Sequence, residues 1–199
     1  MTLHREAVPH RLWVLLVGMM KIVDLRDFRL VGGTALALQL GHRQSIDVDL
    51  FTDKPFDAES LAERIPMQRQ RIRENSVTGE IDGIKVDLIA HRYAWIDEPV
   101  ESENIRLASM RDLAAMKLNA VANRGSKKDF WDIAALLDRM TVAEMIDCYR
   151  LRYPHMDDWQ ALRSLAFFDD AEPDPDPLSR TDVTWGDVKQ RIKDACRFR

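Results

Sequence analysis

Two aspartates, Asp47 and Asp49, stand two residues apart in "SIDVDLF", and a double glycine, Gly32-Gly33, precedes them in "LVGGTALALQLGHRQSIDVDLFT". Residues 45–51 alternate in polarity, which sets Ile46, Val48 and Leu50 on one face of a strand and Ser45, Asp47 and Asp49 on the other. Two carboxylates held side by side repel unless a cation compensates, and a divalent ion with oxygen ligands is the natural one. Glycines between a strand and a helix leave backbone N–H groups uncovered at the positive end of the helix dipole, where phosphate binds, and Thr34 can add a hydroxyl. Together these residues spell a site for a metal-bound polyphosphate. The plainer alternatives are a solvated strand edge for the aspartates, a tight turn for the glycines and a helix cap for Thr34. A calcium loop does not fit: Asp47, Asp49 and Asp53 match its first, third and seventh positions, but Thr52 stands where its glycine belongs and Ala58 where its glutamate belongs.

The elements that must position these groups can be read from periodicity. Pro9 suits a first helical turn, and apolar positions from there to about Leu25 predict one helix. "FRLVGG" predicts a short strand, and "TALALQLG" a helix closed by Gly41. Asp57 caps a helix through Ile65, and "RQRIRENSVTGEIDGIKVDLIA" predicts strands, with Asp82-Gly83 turning into one at 84–89. On that strand Asp87 shares a face with Lys85 and Ile89. From Ser109 the pattern becomes helical, with Ser109/Asp112, Thr141/Glu144 and Thr184/Asp187 as three start signals. The acidic, proline-rich "DDAEPDPDPLSRTD" predicts a loop.

Composition narrows the class. A chain of 199 residues with 46% hydrophobic content can bury a core, and 29 basic against 33 acidic residues give a net charge of −4. No global field draws such a molecule to polyanions, so any nucleic-acid contact must be local. Arg69, Arg71 and Arg73 alternate as one positive strand face, and "RGSKK" adds Arg124, Lys127 and Lys128. Phosphate contacts and protection of a sheet edge by charge are both open readings for the arginines. Two distant cysteines, Cys148 and Cys196, point to a reducing cytoplasm, and "LWVLLVGMM" is too short to span a bilayer.

The segments "GGTALALQLGHRQSIDVDLF", "MRDLAAMKLNAVANRGSKKDFWDIAALL" and "ALRSLAFFDDAE", in that order, resemble the AbiEii/AbiGii toxin group of the nucleotidyltransferase superfamily. The resemblance implies an α/β (α+β) protein: a nucleotidyltransferase lobe with a small mixed sheet over residues 1–106, and a helical lobe over 107–199. It implies transfer of a nucleoside monophosphate from NTP to a hydroxyl, with a tRNA 3′ end as acceptor, a cognate antitoxin as partner, no membrane and a cytoplasmic location. Asp47 and Asp49 would hold two magnesium ions, with Asp87 as a third carboxylate. Gly32, Gly33, Thr34, Arg43, Ser45 and Lys117 would meet the nucleotide, Arg43 with its planar fork on a terminal phosphate. Asp129 would orient Lys117 or an arginine, with Asp132 supporting it. Gly33 departs from the serine that many superfamily members carry in the turn, which leaves Thr34 as the hydroxyl donor. Transfer to a protein or small-molecule hydroxyl, and a non-catalytic binding module, are the rival readings.

Overall fold

The computed structural model describes residues 2–65 and 67–197. Helix α1 (His10–Met19) starts behind Pro9, whose missing N–H costs nothing at a helix N-terminus. The apolar pattern continues to Leu25 but the helix does not, and a separate 3₁₀ turn forms at Val23–Leu25. The expected single helix is broken because Arg106 captures the chain there, donating to the carbonyls of Met20, Leu25 and Phe28 at 3.0, 2.9 and 3.2 Å. Strand β1 (Arg29–Leu30) leads into α2 (Gly32–Leu40), which closes on left-handed Gly41.

Strand β2 (Val48–Thr52) begins three residues later than the alternation suggests. Before it, Gln44 N–H donates to Leu178 O and Ser45 N–H to Ala7 O, so this backbone bonds outside the sheet, and Ile46 is 60% exposed where the pattern placed it inward. Helix α3 (Ala58–Arg64) is capped by Asp57, whose side chain accepts from Ser60 N–H. Strands β3 (Gln68–Arg73), β4 (Ser76–Ile81) and β5 (Ile84–Ala90) form successive antiparallel hairpins, the second turning at Asp82-Gly83 with both φ positive. Strands β6 (Val100–Ser102) and β7 (Ile105–Leu107) complete a mixed sheet of order β3-β4-β5-β2-β1-β7-β6, parallel at β5/β2 and β1/β7. One face is apolar: Leu30, Val48, Leu50, Val77, Val86 and Leu88 are fully buried.

Five helices follow among the described residues: α4 (Met110–Asn123), α5 (Lys127–Leu136), α6 (Val142–Arg152), α7 (Asp158–Ser164) and α8 (Trp185–Arg197). Ser109 caps α4, and Thr141 with Glu144 forms a complete capping box on α6. Asp112 departs from the capping-box role: it accepts from Ile96 N–H at 2.9 Å and from buried Arg152 at 2.8 Å, and Arg152 in turn lies 4.2 Å from the Trp95 ring centre. This ion pair pins the segment between β5 and β6 onto α4 and α6. The acidic, proline-rich loop is pinned too, through Arg180 N–H to His42 O and Gln44 N–H to Leu178 O. Among the described residues no helix is long and apolar enough to cross a membrane.

Candidate active site

Strand β2 carries Asp49 opposite Asp87 of β5 in the parallel register, and the two residues share the face of the sheet turned away from the core. Asp47 sits just before β2 and lines the same cleft, whose volume is about 1120 Å³. Helix α2 begins at the cleft with Gly32 and Gly33, and its N-terminus has no side-chain cap, so the first N–H groups of the helix remain available. Gly32 has φ +69°, and a Cβ there would collide with the Asp49 carboxylate. Only glycine permits both the backbone and this approach. A Cβ at Gly33 would strike the Arg43 guanidinium.

The electrostatics of the carboxylates divide into two kinds. Burial and then the negative charge of Asp87 push the Asp49 carboxyl up from its ordinary value. Among the described residues none donates a hydrogen bond to the side chain of Asp47 or Asp49. Asp87 has one oxygen 2.7 Å from Lys85 Nζ and the other buried with no partner. Among the described residues Lys85 is the one cation in contact with these three carboxylates, and Lys117, Arg43 and Arg124 act on them only from further off. Asp129 and Asp132, on α5, are the opposite case. Asp132 is fully buried and takes Arg43 bidentately at 2.6 and 2.8 Å, Lys117 at 2.7 Å and His42 at 2.7 Å. Asp129 accepts from Lys117 at 3.0 Å, from Arg124 twice at 2.8 Å and from Ser126 at 2.6 Å. Burial opposes the charge of both aspartates, but the hydrogen bonds and charges of these cations outweigh it, so both carboxyls fall below the usual range. For the same reason Lys117 is held above its ordinary value despite burial.

Of the expected site residues, Gly32, Gly33, Arg43, Ser45, Asp47, Asp49, Asp87 and Lys117 line one cleft, whereas Thr34 and Asp129 lie buried beside it. Arg43 turns its fork onto Asp132, and its remaining Nη1 donates to Gln44 O at 2.9 Å, so the reach to a terminal phosphate is not seen. Thr34 is buried and its hydroxyl is spent on Ser45 Oγ at 2.8 Å and on Asp47 O, so it fastens the backbone leading into β2 instead of facing the cleft, while Ser45 lines the cleft. Lys117 crosses to the two α5 aspartates. No group of three His, Cys, Asp or Glu side chains converges on one point among the described residues, and Asp87 is engaged by Lys85 instead of completing a triad. The donors nevertheless suit magnesium: oxygen-only ligands, an unpartnered buried carboxylate oxygen, and a deficit of positive charge. Asp47 and Asp49 would hold it.

Sequence reasoning missed the far end of the cleft. Phe51, His91, Tyr93 and Tyr153 line it, with ring centres 5.8 Å apart for Phe51/His91 and 4.8 Å for Tyr93/Tyr153. The only hint was that Phe51, Ile89 and His91 continue the face that carries Asp49 and Asp87. Burial and the nearby Arg152 charge lower the His91 imidazole to about 4, and burial raises the Tyr153 phenol to about 12, so their 3.0 Å hydrogen bond joins two neutral groups at pH 7. A histidine whose folded value lies below its unfolded one favours folding above pH 6.5 and loses that advantage as pH falls toward 4. Thermal melts at pH 7 and 4.5 should therefore show a smaller loss of stability in His91→Gln than in the native chain. Equal losses would contradict the assignment.

The model of the family described as nucleotidyl transferase AbiEii toxin, type IV toxin–antitoxin system, matches residues 14–94 and 82–195. An uncharacterized protein of Aquifex aeolicus (strain VF5) is 35% identical over 187 residues, covering 87% of this chain and 89% of that one. In three dimensions the chain is similar to the crystal structure of an H. pylori protein assigned as a nucleotidyltransferase, with TM-score 0.58, 15% identity, and 94% and 90% of the two chains covered. It is also similar to JHP933 from Helicobacter pylori, with TM-score 0.54, 15% identity, and 98% and 92% covered. At this identity the structural likeness shows the fold, a mixed sheet followed by a helical lobe.

Proposed function

The chain belongs to the AbiEii nucleotidyl transferase toxin family of type IV toxin–antitoxin systems, and on that premise we propose that it moves a nucleoside monophosphate from an NTP to an acceptor hydroxyl. The observation that carries this reading is the charge deficit: of Asp47, Asp49 and Asp87 only Asp87 has a cation in contact, Lys85, among the described residues, and all three lie beside the uncapped start of α2. A polyphosphate with Mg²⁺ answers both features. The phosphates take the N–H groups at Gly32 and Gly33, and Asp47 and Asp49 hold the metal. Bound there, two Mg²⁺ ions would neutralise the charge that builds up on the triphosphate. The acceptor oxygen forms a bond to the α-phosphorus, the bond from that phosphorus to the bridging oxygen breaks, and pyrophosphate leaves with the bond electrons. In this reading the Asp87 carboxylate, which lines the cleft beside Asp49, takes the acceptor proton.

Arg124 and exposed Lys128 at the cleft mouth supply positive charge for the outgoing pyrophosphate. Lys117 and Arg43 act from behind, as the held cations of the α5 network. In this reading residues 1–106 bind nucleotide and 107–199 close over it, the acceptor is a tRNA 3′ end, a cognate antitoxin restrains the enzyme, and the setting is the cytoplasm. Incubating the purified chain with Mg²⁺, each labelled NTP and total tRNA should put label on RNA and release pyrophosphate. Label on protein would move the acceptor to a protein hydroxyl. No label anywhere, with no NTP bound, would leave a binding module in place of an enzyme.

A further inference from the structure

The register of the sheet extends the catalytic face beyond the cleft. Asp49 pairs with Asp87, Asp87 with Thr78, and Thr78 with Arg71, a single row across four strands whose side chains emerge on one face. The next row runs Phe51, Ile89, Ser76, Arg73. Arg71 and Arg73 therefore share the surface of the metal carboxylates, about 10 Å from Asp87 by two strand spacings. The intervening residues, Thr78 and Ser76, are small hydroxyls that leave this surface low and wettable. The other face of the hairpin belongs to α3, where Gln70 Nε2 donates to Ala62 O at 3.2 Å.

The two arginines are uncommitted. Both are exposed, and neither forms an ion pair or hydrogen bond with any described residue. Arg69 differs: the ladder slips between Gln68 and Arg71, Arg69 adopts φ 50°, and its guanidinium pairs with Glu80 at 2.9 Å. That bulge and its ion pair already blunt the exposed edge of β3, so edge protection does not account for Arg71 and Arg73. Their spacing of about 7 Å along the strand fits repeated anions on a chain and repels a cationic small molecule.

We propose that the open β3–β4 face is the track by which a single-stranded polynucleotide reaches Asp87, with Arg71 and Arg73 on its phosphates. This rests on the nucleotidyl-transfer reading and gives its acceptor a path: the backbone crosses Thr78 and Ser76, and the 3′ hydroxyl arrives at the carboxylates. Phosphate contacts alone do not tell RNA from DNA, so both are tested.

Fluorescence anisotropy of a labelled single-stranded 12-mer, as RNA and as DNA, should show salt-dependent binding by the native chain. Arg71→Ala/Arg73→Ala should bind about 10-fold more weakly, with the slope of log K against log salt reduced by about 1.4, the value for two phosphates of a single strand. The control Arg11→Ala/Arg139→Ala and the affinity for Mg²⁺–NTP should be unchanged, and matching melts exclude misfolding. A stronger effect on RNA identifies the acceptor as RNA; an equal effect on both keeps the track as a generic strand groove. Equal affinity and slope in the two variants, or no binding of either 12-mer by the native chain, overturns the proposal. If binding falls as expected while the native chain labels nothing, the surface stands and the transfer reading fails.

Discussion

Replacing Asp49 by asparagine should lower nucleotidyl transfer by about 10³-fold while raising the melting temperature of the metal-free protein by about 3 °C. The two effects have one cause. Asp49 faces Asp87 across adjacent strands, its carboxyl is pushed up by burial and by that neighbour, and Lys85 is spent on Asp87. A neutral amide of the same shape removes about 1 kcal/mol of like-charge repulsion, which in a domain of this size is about 3 °C. On the proposed metal role, the same change removes a ligand oxygen and with it about 4 kcal/mol of charge stabilisation in the transition state. Added Mg²⁺ and NTP should stabilise the native chain and not the variant, so the order of melting temperatures inverts on saturation. A variant that melts lower than the native chain in EDTA, or that keeps its turnover, would remove Asp49 from the metal site. A structural aspartate would show the reverse pattern, with stability lost and ligand response kept.

Much of this site could be read from local pattern, because its central groups are close in sequence. Alternation put Asp47 and Asp49 on one side of a strand and Asp87 on a matching one. The need for glycine at residue 32 follows from a backbone that turns into a helix against a carboxylate. What local pattern does not contain is which strands become neighbours. The row joining Arg71 to Asp49 exists only once β2, β5, β4 and β3 are laid side by side, and the bulge that separates Arg69 from Arg71 is a property of the pairing. The same holds for partners far apart in the chain. Arg43 was legible as a cation near the strand of Asp47 and Asp49, but its fork belongs to Asp132, 89 residues on. Thr34 read as a phosphate contact because its hydroxyl opens a helix, and it proves to bond Ser45 and the Asp47 carbonyl across the turn. His42 carried no distinguishing pattern at all until its ring was found against Asp132.

That remote network sets up the second large effect. Arg43, Lys117, Asp129 and Asp132 form a buried tetrad of two cations and two anions, with Arg124 at its rim and the two cations bordering the cleft. Its charge is balanced, so it is tolerated; removing one anion leaves a cation with no compensation in a low-dielectric setting. Asp132→Asn should therefore cost about 3–5 kcal/mol, a fall of roughly 10 °C in melting temperature. Asp129→Asn should cost less, because Arg124 is more than half exposed and can regain water. The distinction from a generic core defect lies in the double replacement. Arg43→Met combined with Asp132→Leu removes one charge of each sign and should recover most of the lost stability, giving a coupling energy of several kcal/mol in a double-mutant cycle. It should not recover turnover, since Lys117 would then be held by Asp129 alone and the backbone of His42–Ser45, which leads into β2, would lose its anchor to α5. Additive costs in the cycle would mean that the tetrad is not electrostatically linked and that Arg43 is free to serve the nucleotide directly.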